Sequence, residues 1–360
     1  MELADTAYKR LAERLDALPN GFPPTTDGVE LRLLAKLFTE EEAELAAQLR
    51  LTLETPEKFA ERMGGEPAQL RKQLKGMFRR GLINAGQADG GLGFGLLPFV
   101  VGIYEMQGAT IDAELAGLFE QYYHTAFREV LKVQPAVHRV IPVNESIKTG
   151  LEVHPFESAA QIIAGARAWG VIDCICRVQK RLIGEPCEHP IDVCLTMSST
   201  PGAFDHTPAV RALTQETAMA TLQRAAEAGL VHSVSNNQKG VSYICNCCTC
   251  SCGILRGMAE LGLANVVARS AYLNQVDQEL CLLCGLCLER CQFDALSLNT
   301  TLTINEMRCV GCGVCTLACP EGALKLVLRP EGEAPPPPET GADWLEARAI
   351  ARHLRLDELL

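Results

Sequence analysis

The chain has 360 residues, 48% hydrophobic and 21% charged, which is enough apolar material for two or three domains and excludes a disordered chain. Its formal charge of −11 argues against general attraction to nucleic acid or anionic lipid. Met1-Glu2-Leu3-Ala4-Asp5 lacks the basic start and apolar run of a secretory signal, and residues 90–103, the most apolar stretch, are too few to span a bilayer, so a cytoplasmic chain without membrane insertion is expected.

Residues 28–100 read as short helices followed by a hairpin. Segments 28–37 and 40–49 place apolar residues at helical spacing, and Thr39 with an acidic first turn opens the second. Thr55-Pro56 supplies an N-cap and a first-position proline for a helix that ends at Gly64-Gly65. A longer helix over 67–80 has Leu70, Leu74, Met77 and Phe78 as its inner stripe, and Gly81 stops it. A strand at 82–84, a glycine-rich stretch over 87–95 and a second strand over 96–101 follow. This order resembles the winged helix-turn-helix domains of bacterial regulators. The 67–80 helix would then be the recognition element, with Arg71, Lys72, Lys75, Arg79 and Arg80 set against Glu66. DNA is one partner such a helix could take. Docking on protein is preferred, because the whole chain is acidic and offers Glu40, Glu41, Glu42 and Glu44 nearby.

An amphipathic helix is predicted over 109–132, and Pro135 and Pro142 mark a domain boundary. Beyond it, a helix over 158–168 leads into a strand at 171–173, and a second helix covers 209–228. Strands over 230–235 and 241–244 form a hairpin around Asn236-Asn237-Gln238-Lys239-Gly240, aimed at Cys245. A Pro-rich spacer follows residue 330, and a last helix over 344–359 could dock on this chain or on a partner.

Seventeen cysteines, an odd number, all fall between Cys174 and Cys319. Neighbours such as Cys247-Cys248 and gaps of one or two residues suit metal binding better than a disulfide framework. The eight nearest the C-terminus form two runs, Cys281-x2-Cys284-x2-Cys287-x3-Cys291 and Cys309-x2-Cys312-x2-Cys315-x3-Cys319-Pro320. This repeat resembles that of bacterial two-cluster ferredoxins. The resemblance implies two 4Fe-4S clusters, the fourth cysteine of each run binding the other cluster. Cluster I would take Cys281, Cys284, Cys287 and Cys319, and cluster II Cys291, Cys309, Cys312 and Cys315. Gly285, Gly311 and Gly313 would let the backbone bend around them. The first run departs from the pattern in having Gln292 where the second has Pro320. Zinc, which takes four cysteines as two pairs with a long separator, fits these runs poorly.

Nine cysteines remain: Cys174, Cys176, Cys187, Cys194, Cys245, Cys247, Cys248, Cys250 and Cys252. The Cys-Ile-Cys-Arg segment and the Ile-Cys-Asn-Cys-Cys segment, followed by the two runs, resemble an uncharacterised family of ferredoxin-like proteins of anaerobes over about residues 155–325. That resemblance implies iron–sulfur binding and electron transfer, and names no substrate. Nine soft ligands exceed what packing needs, so at least one further iron–sulfur cluster is expected here, with zinc as the rival. Arg177 and Arg256 could raise a cluster potential or serve as ordinary ion pairs. His189 and His206 read as surface or hydrogen-bonding residues.

The expected architecture is therefore α+β and multidomain. It comprises a winged-helix-like domain (1–140), a Cys-rich middle α+β domain (141–275), a dicluster ferredoxin-like domain (276–329), and a Pro-rich linker with a C-terminal helix (330–360). The expected function is single-electron transfer between a low-potential donor and a partner oxidoreductase. The alternatives are a redox-sensing DNA-binding regulator and an oxidoreductase subunit with a catalytic middle cluster. No phosphate-binding loop or dinucleotide motif is present, and Gly90-Gly91-Leu92-Gly93 reads as a flexible turn.

Overall fold

The computed structural model describes residues 6–143, 155–205, 207 and 209–356, so His206 lies outside the described residues. The chain divides into two compact units, residues 1–133 with 345–360, and residues 134–344. Both α and β structure are present, as expected.

The first unit begins with α1 (Ala7–Asp16), α2 (Val29–Leu37) and α3 (Glu40–Ala47), then α4 (Pro56–Met63) and α5 (Pro67–Arg79). Their starts follow local chemistry. Thr39 and Glu42 close a capping box on α3, Thr55 caps α4 ahead of Pro56, and the Glu66 carboxylate accepts from the Gln69 N–H at the head of α5. Leu70, Leu74 and Met77 are buried as expected, but Phe78 is 45% exposed, because it sits at the edge of that helical stripe.

Strands β1 (Ile83–Ala88) and β2 (Gly91–Leu96) form an antiparallel hairpin, and Glu54 makes an isolated bridge to Phe94. The second strand lies within the glycine run, not at 96–101. The reason is steric: a Cβ on Gly95 would come within 3.1 Å of the Arg50 carbonyl, and one on Gly93 within 3.0 Å of the Leu53 Cβ. Helices α6 (Ala113–Tyr122) and α7 (Arg128–Lys132) are joined by a wide π-type turn over Tyr123–Phe127. Phe119 stacks on Tyr104 with ring centres 3.8 Å apart, within an aromatic core that includes Phe22, Phe99 and Tyr122.

In the second unit, β3 (His138–Val140), α8 (Ala159–Ala164), β4 (Ala168–Ile172), α9 (Ile175–Leu182), β5 (Cys194–Ser198) and β6 (Arg211–Leu213) come first. Then follow α10 (Gln215–Glu227), β7 (Val231–Ser235), β8 (Tyr243–Cys247), α11 (Arg256–Ala259) and β9 (Val267–Ala268). The predicted 209–228 helix starts later, at its Thr214 capping box, because 211–213 pair with β4 instead. Among the described residues one sheet has seven strands, in the order β6-β4-β5-β8-β7-β3-β9. Its pairings are antiparallel except β3 with β9. Helices α8 and α10 cover one face through Ile163, Ala218 and Leu222, packed on Val171, Leu195, Met197, Val234 and Ile244.

The remaining elements are β10 (Tyr272–Val276), α12 (Leu286–Arg290), β11 (Leu296–Leu298), β12 (Leu302–Ile304) and β13 (Leu324–Leu328). They form two antiparallel ribbons, β10 with β13 and β11 with β12. The Pro-rich segment is held rather than free. Gln238 donates its backbone N–H to the Pro338 carbonyl at 2.9 Å and its side-chain amide to Pro337 at 2.7 Å. No helix among the described residues is long and apolar enough to cross a membrane.

The last helix, α13 (Gly341–Ala351), is shorter than the predicted 344–359, and residues 357–360 lie outside the described ones. Its docking is intramolecular. Arg348 is fully buried in the first unit and donates to the carbonyls of Pro19 (2.8 Å), Val130 (2.7 Å) and Val133 (2.7 Å). Burial pulls its pKa down to about 10, still charged at neutral pH. Replacing Arg348 with alanine strands these acceptors at about 1–3 kcal/mol for each that stays dry. Thermal denaturation followed by circular dichroism should show a clearly lower midpoint, and Arg348→Lys only partial recovery, since one ammonium cannot span the fork.

Candidate metal centre

The two C-terminal cysteine runs fold into matching loops. Gly285 and Gly313, at φ 79° and 73°, open the short helix α12 and a 3-10 turn over Val314–Ala318. Each turn ends at its run's fourth cysteine, Cys291 (ψ 104°) or Cys319 (ψ 108°), whose extended backbone carries it away from its own three neighbours. Ala295 N–H then points at Cys291 Sγ at 3.4 Å, and Ala323 N–H at Cys319 Sγ at 3.2 Å.

Cys281, Cys284, Cys287 and Cys319 line one cavity, walled by Leu298, Leu302, Leu324 and Pro320. Cys291, Cys309, Cys312 and Cys315 form the second group: the charge of Cys309 acts on the other three, and that of Cys291 on Cys312 and Cys315. Burial raises the thiols of Cys287, Cys291 and Cys315 and pushes Cys312 up to about 12. Thiols placed as these four are stay protonated unless a metal takes the proton's position. The second group has a polar neighbour, the buried Asn274, which donates from Nδ2 to Cys315 Sγ at 2.7 Å. Nothing in the sequence singled this residue out. Cys284 is exposed, beside the exposed Leu282 and Leu283.

The nine other cysteines separate by strand alternation. On β8, Ile244 faces α10, so Cys245 and Cys247 face the other way. Cys194 of β5 shares that side, since Leu195 and Met197 belong to the α10 side. Cys174 caps α9 and Cys176 lies in its first turn. The result is a closed ring of thiol contacts. Cys174 meets Cys176 and Cys194, Cys176 meets Cys252, Cys252 meets Cys247, Cys247 meets Cys245, and Cys245 returns to Cys194. Ser233 Oγ lies 3.4 Å from Cys247 Sγ.

Cys248, one residue beyond Cys247, turns to the opposite side and packs with Val193, Ala225 and Leu230. There it meets Cys187, Cys250 and His189, the four ligand atoms lying within 4.8 Å of one another. His189, expected from the sequence to be a surface or hydrogen-bonding residue, lies in this cysteine group. Contact with Cys250 is the main cause that holds Cys248 far below the usual thiol range, at about 3, with His189 and Arg177 adding to it. Contact with Cys248 in turn raises His189.

Arg177 is 2% exposed; its guanidinium donates to the Asn246 carbonyl (2.6 Å) and the Pro190 carbonyl (3.0 Å). Although burial opposes its charge, the charges of Cys174, Cys248, Cys194 and Cys247 raise its pKa. Arg256, also buried, instead forks onto Glu260 at 2.7 and 2.8 Å, the ion-pair reading. Gln292, the departure from the proline of the second run, accepts from the Thr249 N–H at 2.8 Å and donates to the Gly229 carbonyl. It thereby ties the first ferredoxin run to the Cys248–Cys252 loop.

No curated protein and no solved structure matches the chain. Gly311 shows how little room the second loop has: at φ 74°, a Cβ there would sit 2.1 Å from the Tyr272 carbonyl oxygen. Gly311→Ala should therefore displace the Cys309–Cys315 loop, and anaerobic iron and sulfide analysis should find about half the ferredoxin-bound iron lost. Residues 274–297 and 302–325 match the family described as 4Fe-4S binding domain, which marks this part of the chain as a two-repeat iron–sulfur module of the electron-transfer kind.

Proposed function

We propose that the chain is a cytoplasmic multi-cluster electron carrier, passing single electrons between a low-potential donor and a partner oxidoreductase. The observation that carries this reading is the gathering of eight cysteines into two groups of four, each completed by the fourth cysteine of the other run. Cys281, Cys284, Cys287 and Cys319 hold cluster I, and Cys291, Cys309, Cys312 and Cys315 hold cluster II. Bound there, 4Fe-4S clusters supply one-electron chemistry over a potential range of about −700 to +450 mV. The exposed Cys284 and its leucine rim make cluster I the natural point of exchange with a partner.

The residues around the two groups differ. The matched repeats begin at Asn274 and Leu302, so Leu302 occupies by the first group the place that Asn274 takes by the second. A donor on a ligand sulfur stabilises the more negative, reduced state and raises the potential. Cluster II is then the higher of the two, and electrons entering at the exposed cluster I run downhill to it.

The six-thiol ring of the middle sheet is assigned to a further iron–sulfur cluster. Its ligand set is sulfur alone, as in the cluster loops of the ferredoxin module, with four thiols for a cluster and two to spare. Four of them, Cys174, Cys194, Cys247 and Cys252, are buried, which gives a substrate little access and favours electron storage over catalysis. The regulator reading has less support. In α5, Arg71 is engaged by Glu57 at 2.6 Å, and Arg80, which caps the helix, by Glu42 at 2.7 Å, leaving fewer cations for DNA phosphates. The winged-helix-like region is therefore assigned to docking on protein.

Two variants test the carrier. In Cys291→Ser, EPR of the anaerobically reduced protein should lose the coupled pair of cluster signals and keep one cluster; an unchanged pair sinks the ligand assignment. In Asn274→Leu, which copies Leu302, potentiometric titration should move one midpoint to a more negative value and leave the other in place. Two unmoved midpoints would remove the ordering of the clusters.

A further inference from the structure

The group on the α10 side of β8 has a different chemistry from the other three. Its four ligand atoms, from Cys187, His189, Cys248 and Cys250, lie within 4.8 Å of one another, with Cys250 Sγ 3.6 Å from His189 Nδ1. A single zinc ion with Zn–S bonds of about 2.3 Å and a Zn–N bond of about 2.0–2.1 Å holds tetrahedral ligand atoms roughly 3.5–3.8 Å apart. A four-iron cubane gives each thiolate its own iron and a two-iron cluster gives each iron two ligands, so either spreads its four ligands more widely than one ion does. Three cysteines and one histidine are also a standard structural zinc set, whose fourth position is closed by protein.

The surroundings suit the ion. Ser251, 1% exposed, donates from Oγ to Cys187 Sγ at 3.3 Å and reaches Cys250 Sγ at 4.0 Å. Such a donor fixes the ligand sulfurs and offsets part of their charge. Three thiolates and a neutral imidazole leave one net negative charge on a zinc site, and Arg177 acts on Cys248 from its buried position. Strand alternation keeps this group apart from the six-thiol ring, since Cys247 and Cys248 leave β8 on opposite sides.

We infer that Cys187, His189, Cys248 and Cys250 form a mononuclear zinc site, separate from every iron–sulfur site of the chain. The site clips the loop that carries Cys187 and His189 onto the Cys248–Cys252 loop. Because Thr249 lies between two ligands and its N–H is held by Gln292, the zinc also fixes the loop against which the first ferredoxin run is tied. Its role is structural: it holds the middle sheet and the ferredoxin module in register.

The test uses the full-length protein, produced with iron and zinc both supplied and purified anaerobically without chelator. Elemental analysis should give about one zinc per chain beside the iron and acid-labile sulfide. The zinc X-ray absorption edge of the unaltered protein should report three sulfurs and one nitrogen. The double variant Cys187→Ser, Cys250→Ser should lose its zinc while keeping its iron and sulfide, and His189→Cys should retain the ion with four sulfurs. Absence of zinc, or a zinc shell without three sulfurs and one nitrogen, overturns the site. So does a double variant that loses iron and sulfide in place of zinc, which would assign these residues to a cluster. The ferredoxin EPR signals are a separate readout, so failure here is distinct from failure of the carrier reading.

Discussion

Thiolate charge is the constraint on which the second unit depends. A buried cysteine prefers to stay protonated, and the burial that raises Cys291, Cys312 and Cys315 makes that preference strong. Packing so many such groups into one fold is tolerable only where cations share their charge. Metals would supply most of it. The protein itself supplies Arg177, a buried guanidinium fixed by two backbone carbonyls and felt by thiols on both sides of β8. Arginine suits that position because it stays charged when buried, and its planar fork can meet two carbonyls at once.

The scaffold answers the same constraint with backbone geometry. A strand presents alternate residues to opposite faces, so one stretch, Cys245-Asn246-Cys247-Cys248, feeds two different cysteine groups. Asn246, pointing with Ile244, is fully buried on the other face and meets His232, whose pKa burial lowers to about 4. That histidine is neutral at physiological pH and adds no charge near the thiols. In the ferredoxin module, left-handed glycines start each turn and an extended cysteine ends it, so two repeated backbone bends bring each run's fourth cysteine beside the other run's three.

The departure at Gln292 shows how one module is joined to another. A proline there would have neither a side-chain donor nor an acceptor. Glutamine has both, and spends them on Gly229 and Thr249, so the loop that follows Cys291 is stiffened by the segments flanking β7 and β8 instead of by a ring. This substitution turns a self-contained ferredoxin motif into part of a larger body, in keeping with a unit that runs from residue 134 to residue 344.

By itself the sequence determined the two ferredoxin runs, because their spacing is local and a cluster loop needs nothing from afar to be recognised. The helix starts at Thr39 and Thr55 were legible for the same reason: a cap is a contact over three residues. Glycine-rich β2 is not legible in the same way, since its glycines answer to residues 50–53, some forty positions earlier in the chain. Only the tertiary structure decided how the nine middle cysteines divide, that His189 joins three of them, that Asn274 reaches Cys315 and that Arg348 anchors the last helix. Each of these depends on which face of a strand or helix meets a segment far along the chain, and spacing carries no record of that.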